Sequence, residues 1–440
     1  MNKHDIAQRV LDLVGDRAEA EVRVSGGSAS LTRFANSFIH QNVGEEGESV
    51  SLKVVVDGRV STAITNRMDT LDQVVDDVIE AASHQPVDED WPGLAAPTEA
   101  PESLHFDEAT AGASPQERAS VVSDFVAQGP GMRAAGYCDT SATEVVMANS
   151  AGLRMEGRAT SATVDGIHQT DTSAGSGHAT AYRLADLDGA AVGSLAAHRA
   201  QRSSEPYDTK PGDYEVVLSP EAVSTIAVFL AVYGFNAKMK IDGQSFMNIG
   251  EQQLDESISI WDDYFDPKTL GLPFDAEGTP KRRVDHVEAG VSRSHAHDRR
   301  TAAKMGAEST GHALPGGAGW GAMPTNLFVG GGDQSEQDLI ASVDRGLYVS
   351  TFNYCRILDP KSQVVTGLTR NGTFMIENGA ITGAVTNLRF TQSFVQALGA
   401  GNVLGIGNDS RLADSEFGPG MIVAPSMRLA AWHFTGGAEG

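Results

Sequence analysis

The chain has 440 residues, 40% of them hydrophobic and 21% charged, which is enough apolar material for two or three domains with their own cores and too much for a disordered scaffold. Aspartate and glutamate number 58 against 33 lysines and arginines, and the net charge of −25 repels phosphate backbones and anionic headgroups, which excludes nucleic acid and membrane surfaces as partners. No apolar stretch near the start has the length of a signal peptide or a membrane span, so a cytoplasmic protein is expected.

Ile6, Val10, Leu11 and Val14 recur at helical spacing and predict a first helix. Glu19 to Val24 and Ser49 to Val56 read as valine-rich strands, and Asp57-Gly58 before Val60 is a two-residue hairpin signal. Thr70-Leu-Asp-Gln73 has the spacing of a capping box ahead of Val74, Val75, Val78, Ile79 and Ala82, which predicts a helix over 70–83. Four prolines with Asp88, Glu89 and Asp90 make 86–101 an exposed connector. Ser114-Pro-Gln-Glu117 opens another helix, with a cap, a proline at the first helical position and a capping-box acid, and Val121, Val122, Phe125 and Val126 form its apolar face. Thr143 to Ala148, Arg154 to Arg158 and Ala159 to Val164 follow as strands.

A second linker covers 203–213, after which Glu215 to Leu218 reads as a strand feeding a helix from Ser219 to Tyr233. Ile226, Phe229, Leu230 and Tyr233 give that helix an apolar face suited to a core or an interface. Beyond it, Asp275-Ala-Glu-Gly, Glu288-Ala-Gly, Asn371-Gly372 and Glu377-Asn-Gly379 punctuate short apolar runs such as Thr373 to Ile376 and Ala384 to Leu388, as antiparallel hairpins do. The expected architecture is α+β, an N-terminal mixed α/β region followed by a mostly antiparallel, sheet-rich C-terminal domain. The expected divisions are 1–85, 86–211 and 212–440.

The junction Val216-Val-Leu-Ser-Pro-Glu-Ala-Val-Ser-Thr resembles the TldD/TldE family, whose TldE branch is also called PmbA. Ala18-Glu-Ala-Glu-Val-Arg-Val, the stretch around Arg33-Phe-Ala-Asn-Ser, and Ser51-Leu-Lys-Val-Val-Val-Asp-Gly carry the likeness at the front. Asp298-Arg-Arg-Thr-Ala-Ala-Lys-Met-Gly, Ser309-Thr-Gly-His-Ala and Asp338-Leu-Ile-Ala-Ser-Val-Asp-Arg-Gly-Leu-Tyr-Val carry it in the second half. The resemblance implies that a TldD-type subunit bears His-Glu-x-x-x-His on this helix, with a further ligand near the C-terminus, and uses zinc as a peptidase does. Zinc needs soft or imidazole ligands that leave one position for an activated water, and a glutamate to take its proton. Here the two histidine positions hold Pro220 and Thr225, the glutamate is Glu221, and no cysteine follows Cys355. Glu221 is thus the one catalytic candidate left on the helix, set against a plain reading as a solvated first-turn acid favoured by the helix dipole.

His295-Ala-His297-Asp298 is the alternative metal candidate, because alternate residues of a strand project to one face and His312 could complete a three-nitrogen set. Arg293, Arg299 and Arg300 oppose a dication there, and the competing reading is exposed polar residues. Gly316-Gly-Ala-Gly-Trp-Gly and Gly330-Gly-Gly-Asp333 lack the endings of a phosphate loop. They read instead as flexible backbone around Trp320, at a surface that takes an extended peptide. Cys138 and Cys355 have no metal spacing and read as reduced packing residues.

The resemblance implies that the chain is the non-catalytic, TldE/PmbA-like subunit of a heterodimeric zinc-dependent metallopeptidase acting on unfolded peptides. No cofactor is expected in this chain, and zinc is expected in a TldD-type partner. Thr225, His312, Trp320 and segment 316–332 are expected to contact peptide or partner. The competing readings are a peptidase in its own right built on the three histidines, and a homodimeric peptide-binding module.

Overall fold

The structure, a computed structural model, describes residues 1–437. Its N-terminal half is built on one antiparallel sheet ordered β3-β2-β1-β4-β5-β6. The strands are β1 (Glu19–Ala35), β2 (Phe38–Val56), β3 (Arg59–Thr65), β4 (Arg133–Asn149), β5 (Arg154–Gln169) and β6 (Ala174–Ala181). The helices of this half are α1 (Lys3–Val14), α2 (Leu71–Ser83), the single turn α3 (Glu108–Ala111), α4 (Pro115–Ala127) and α5 (Gly189–Arg202). The predicted helices form where periodicity placed them, and Ser114 and Glu117 close the expected capping box. Thr70 does not: its side chain caps nothing, and its hydroxyl turns back to the Arg67 carbonyl.

The strands run far beyond their apolar segments. β1 continues through Ser25-Gly-Gly-Ser-Ala-Ser because it is paired along both edges, with β2 and with β4, so ladder hydrogen bonds override weak propensity. For the same reason the two strands expected over 154–164 are one continuous β5. Asp57 and Gly58 both take positive φ, 48° and 74°, as the two-residue hairpin between β2 and β3 requires. The sheet also runs across the expected division at 85/86, because β1 pairs with β4.

Pleating sorts this sheet into two faces. Val22, Val24, Leu52, Val54, Val146 and Ala148 pack under α1 and α2, and Phe34, Cys138, Ala162 and Val164 pack under α4 and α5. The opposite face carries Arg23, Asp139, Ser141, Thr143 and Asp165, with a small apolar patch of Val145, Met147 and Met155 that meets Phe274. That polar face looks toward the C-terminal half.

There, β7 (Gly212–Leu218) leads into α6 (Pro220–Phe229), followed by a π turn at Leu230–Gly234 and α7 (Ala237–Ile241). Short strands β8 (Ile260–Asp262), β9 (Val284–Glu288), β10 (Val291–Ser292) and β11 (Leu327–Val329) precede the long β12 (Arg345–Asp359) and β13 (Val364–Glu377). The chain finishes with β14 (Ala380–Ala384), β15 (Leu388–Ser393), β16 (Val403–Ile406), β17 (Arg411–Ala413), β18 (Ile422–Ala424) and β19 (Met427–Gly437). Strands β12, β7, β19, β15 and β13 pair in turn and β13 pairs back with β12, which closes a ring around Phe352, Phe390 and Trp432. A second sheet runs β10-β9-β8-β11-β18-β17.

One turn and one strand expectation change here. Asn371-Gly372 is no hairpin but an irregularity inside β13, where pairing with β12 shifts register, and Ala384 to Leu388 is the connection from β14 to β15. Glu377-Asn378-Gly379 and Ala289-Gly290 do form tight turns with two positive φ values each. Among the described residues no helix is long and apolar enough to cross a membrane.

Candidate functional site

α6 is the centre of the C-terminal half. The predicted apolar face is one part of a wider burial: all ten residues from Pro220 to Phe229 are buried, because α6 packs against β7, β12, β17 and β18 at once. The solvated reading of Glu221 therefore fails. Its side chain is 5% exposed and is held between two guanidinium groups, with Arg411 Nη2 donating to Oε1 at 2.8 Å and Arg199 Nη2 to Oε2 at 3.5 Å. The Ser219 hydroxyl donates to Oε2 at 2.8 Å. Burial opposes ionisation, but Arg411 and Arg199 together outweigh it and hold the carboxyl well below the usual carboxylate range.

Zinc does not fit this helix. Pro220 and Thr225 offer no imidazole, the Thr225 hydroxyl donates to the Glu221 carbonyl at 3.2 Å, and Glu221 is consumed by its two arginines. A carboxylate paired on both oxygens and held well below the usual range is a weak base, and its contacts here are those of a structural anion.

Arg199 reaches α6 because α5 lies close against β6. A Cβ at Gly175 would come within 2.2 Å of the Ala200 nitrogen, and one at Gly177 within 2.3 Å of the Val192 carbonyl, so only glycine permits this approach. Arg199 Nη1 also donates to the Ser176 carbonyl at 3.0 Å.

Glu221 and Thr225 line a cavity of about 280 Å³ between the polar sheet face and the C-terminal half, together with Asp165, His178, Arg370 and Asp414. Asp165 on β5 and His178 on β6 are direct cross-strand partners, with Oδ2 and Nδ1 3.2 Å apart. The other ring nitrogen of His178 lies 2.8 Å from the Thr180 hydroxyl, itself 3.1 Å from that of Thr163. Asp414 arrives from the segment after β17. Burial alone would lower the His178 pKa, but Asp165 and Asp414 outweigh it and raise it. Burial raises those of Asp414 and Asp139.

The expectation of exposed polar residues at His295 and His297 is also corrected, since both side chains are buried, as is His312. The arginines that were to repel a dication are each engaged elsewhere, Arg293 with Glu288, Arg300 with Asp88, and Arg299 with the Leu94 carbonyl. Burial pushes the His295 and His286 pKa values down to about 4 and lowers those of His297 and His312. The rings of His295 and His297 are 6.3 Å apart, and His312 lies 3.0 Å from the equally buried Asp262. Among the described residues, the one set of three or more His, Cys, Asp or Glu donor atoms that converges is Asp165, His178 and Asp414, all within 4.8 Å of one another; the three histidines are not in it.

His312 lines a separate cleft of about 400 Å³ with Arg23, Asp275, Lys281 and Asn326. Trp320 stands 62% exposed after the turn at Gly317–Gly319, and its carbonyl accepts a hydrogen bond from Asn236. The structure thus places Thr225, His312 and Trp320 at three different locations. Sequence reasoning missed Asp165, His178, Arg199, Arg411 and Asp414. Only the first two carried a signal, as partners across a β5–β6 hairpin whose register was needed to see it.

Residues 211–436 match the family described as the PmbA/TldA metallopeptidase C-terminal domain. The fold is similar to that of TldE from Thermococcus kodakarensis, with a TM-score of 0.88 at 18% identity over 98% of this chain and 99% of that one, a likeness of fold alone. A metalloprotease of Methanothermobacter thermautotrophicus is 25% identical over 227 residues, 50% of this chain and 48% of that protein. A metalloprotease TldD homologue of Buchnera aphidicola is 27% identical over 192 residues, 41% of this chain and 39% of its own length. The alignments therefore span about half or less of the relatives they match.

Proposed function

The chain belongs to the PmbA/TldD metallopeptidase family, and from that membership we propose that it is the TldE-like, non-catalytic subunit of a two-chain peptidase. A TldD-type partner supplies the zinc-binding helix, and this chain shapes the chamber that admits unfolded peptides in the cytoplasm. The observation that carries the reading is Glu221: the acid that would serve a zinc-bound water is instead locked between Arg199 and Arg411, beside Pro220 and Thr225. The α6 helix keeps its place in the core and lacks the groups hydrolysis requires. Exposed Trp320 and the glycine-rich turn before it form a surface for partner or peptide.

The test is reconstitution. The isolated chain and a TldD-type chain from the same host are assayed separately and mixed, by light scattering for assembly and by hydrolysis of an unstructured peptide for activity. The expected result is an inert isolated chain and a mixed complex that cleaves. Cleavage by the isolated chain, lost when His295, His297 and His312 are changed, overturns the reading, and so does failure of the two chains to associate.

A further inference from the structure

The cavity beside Glu221 contains a donor set that the subunit reading does not use. We propose that Asp165, His178 and Asp414 bind a divalent transition-metal cation, Zn²⁺ or Mn²⁺, at the junction between the N-terminal sheet and the C-terminal half. The proposal goes beyond the subunit reading, uses no residue of α6, and departs from the expectation that this chain carries no metal.

Convergence is the first argument. Donor atoms that all lie within 4.8 Å of one another can be gathered around one ion at bond lengths near 2.0–2.2 Å by small side-chain rotations. Two carboxylates and one imidazole suit borderline divalent ions and leave positions open for water or a peptide carboxylate.

The surroundings of the donors are the second argument. His178 has one ring nitrogen beside the Asp165 carboxylate and the other against Thr180. A metal-binding imidazole has this arrangement, with its outer N–H held by a neighbour that fixes the tautomer. Thr163 extends the chain of hydroxyl groups behind it. Among the described residues the Asp414 carboxylate has no side-chain donor. Asp139 adds a third carboxylate on the same sheet face, close enough to act on both Asp165 and His178. Arg199 and Arg411 share Glu221, and Arg370 and Glu416 line the same cavity. The Asp165, Asp414 and Asp139 carboxylates thus gather around the single imidazole of His178.

The ligands come from β5, β6 and the segment after β17, so a bound ion would cross-link the two halves of the chain. The isolated wild-type chain is stripped with EDTA, and its melting temperature is followed against added ZnCl₂ or MnCl₂. At about a hundredfold excess over the dissociation constant the midpoint is expected to rise by about 3–5 °C. Asp414→Asn and His178→Gln are each expected to weaken apparent affinity at least about tenfold. No shift for the wild type with either ion overturns the proposal and leaves His178 as an imidazolium between carboxylates. An unchanged shift in both variants overturns it equally, by placing the ion elsewhere, for example at the surface pairs His4–Glu156 or His433–Asp213. If the variants do not fold, Mn²⁺-soaked wild-type crystals decide: an anomalous peak among the three donors supports the site, and its absence there refutes it.

Discussion

Replacing Glu221 by glutamine tests whether this residue is a structural anion. The substitution keeps shape and removes charge, which strands the Arg199 guanidinium: its side chain is 6% exposed, Glu221 is its carboxylate among the described residues, and the Ser176 carbonyl is left as its remaining strong acceptor. Breaking a buried pair from one side costs about 3–5 kcal/mol, and the partial acceptor capacity of glutamine places the expected loss near the lower end. Arg411→Gln should cost much less, about 1 kcal/mol, because Arg411 is 38% exposed and solvent screens its contribution. The pH dependence gives an independent check. Glu221 has a folded pKa below its unfolded value of about 4.3, so its stabilisation is fully present above that pH and drains away as pH falls below it. In urea titrations the gap between wild type and Glu221→Gln should thus be constant near neutrality and shrink below about pH 4.3. Equal stability at pH 7, or a gap that persists undiminished into acid, would refute the argument.

Three further outcomes follow from the same structure. Trp432 is fully buried against Phe352, Phe390 and Phe394 at the centre of the strand ring, so Trp432→Ala should lower stability by about 3–5 kcal/mol in chemical denaturation. Burial pushes the Cys138 thiol up to about 12 and raises that of Cys355 as well, so neither should react with a thiol reagent in the native chain and both should react in denaturant. Glu277 lines a cleft with Lys53, Trp91 and Arg300, and burial, with Asp275 and Asp298 nearby, raises its pKa to about 7. A raised carboxyl favours the folded state at low pH and loses that advantage as pH climbs from about 4.3 through about 7, so Glu277→Gln should stabilise by about 1–2 kcal/mol above pH 7 and change nothing at pH 4.

The helices were legible because their signals are local. Ser114 and Glu117 lie three residues apart, and the apolar faces of α1, α2 and α4 repeat within one or two turns. The strands were legible only where valines alternate; Ser25 to Ser30 becomes strand because both its edges are hydrogen-bonded, a fact held by distant parts of the chain. The site had the same problem in stronger form. Glu221 looked like a solvated acid because its partners sit 22 residues before it and 190 after it. His295 and His297 looked exposed because the sequence around them is polar, yet the chain folds over them.

Glu221 occupies a position that demands positive charge. It lies at the N-terminal end of a helix buried on all sides, where a carboxylate without a counter-charge is prohibitively costly. Here Arg199 and Arg411 answer that demand, and the glycines under α5 are what allow Arg199 to arrive. Placing histidines at positions 220 and 225 is therefore not expected to create a peptidase site. The double change Pro220→His with Thr225→His should leave peptide hydrolysis at the wild-type value, because both arginines still claim the glutamate. A variant that gained hydrolytic activity from these two changes alone would show that the arginines yield readily, and would remove the main physical reason for treating this helix as non-catalytic.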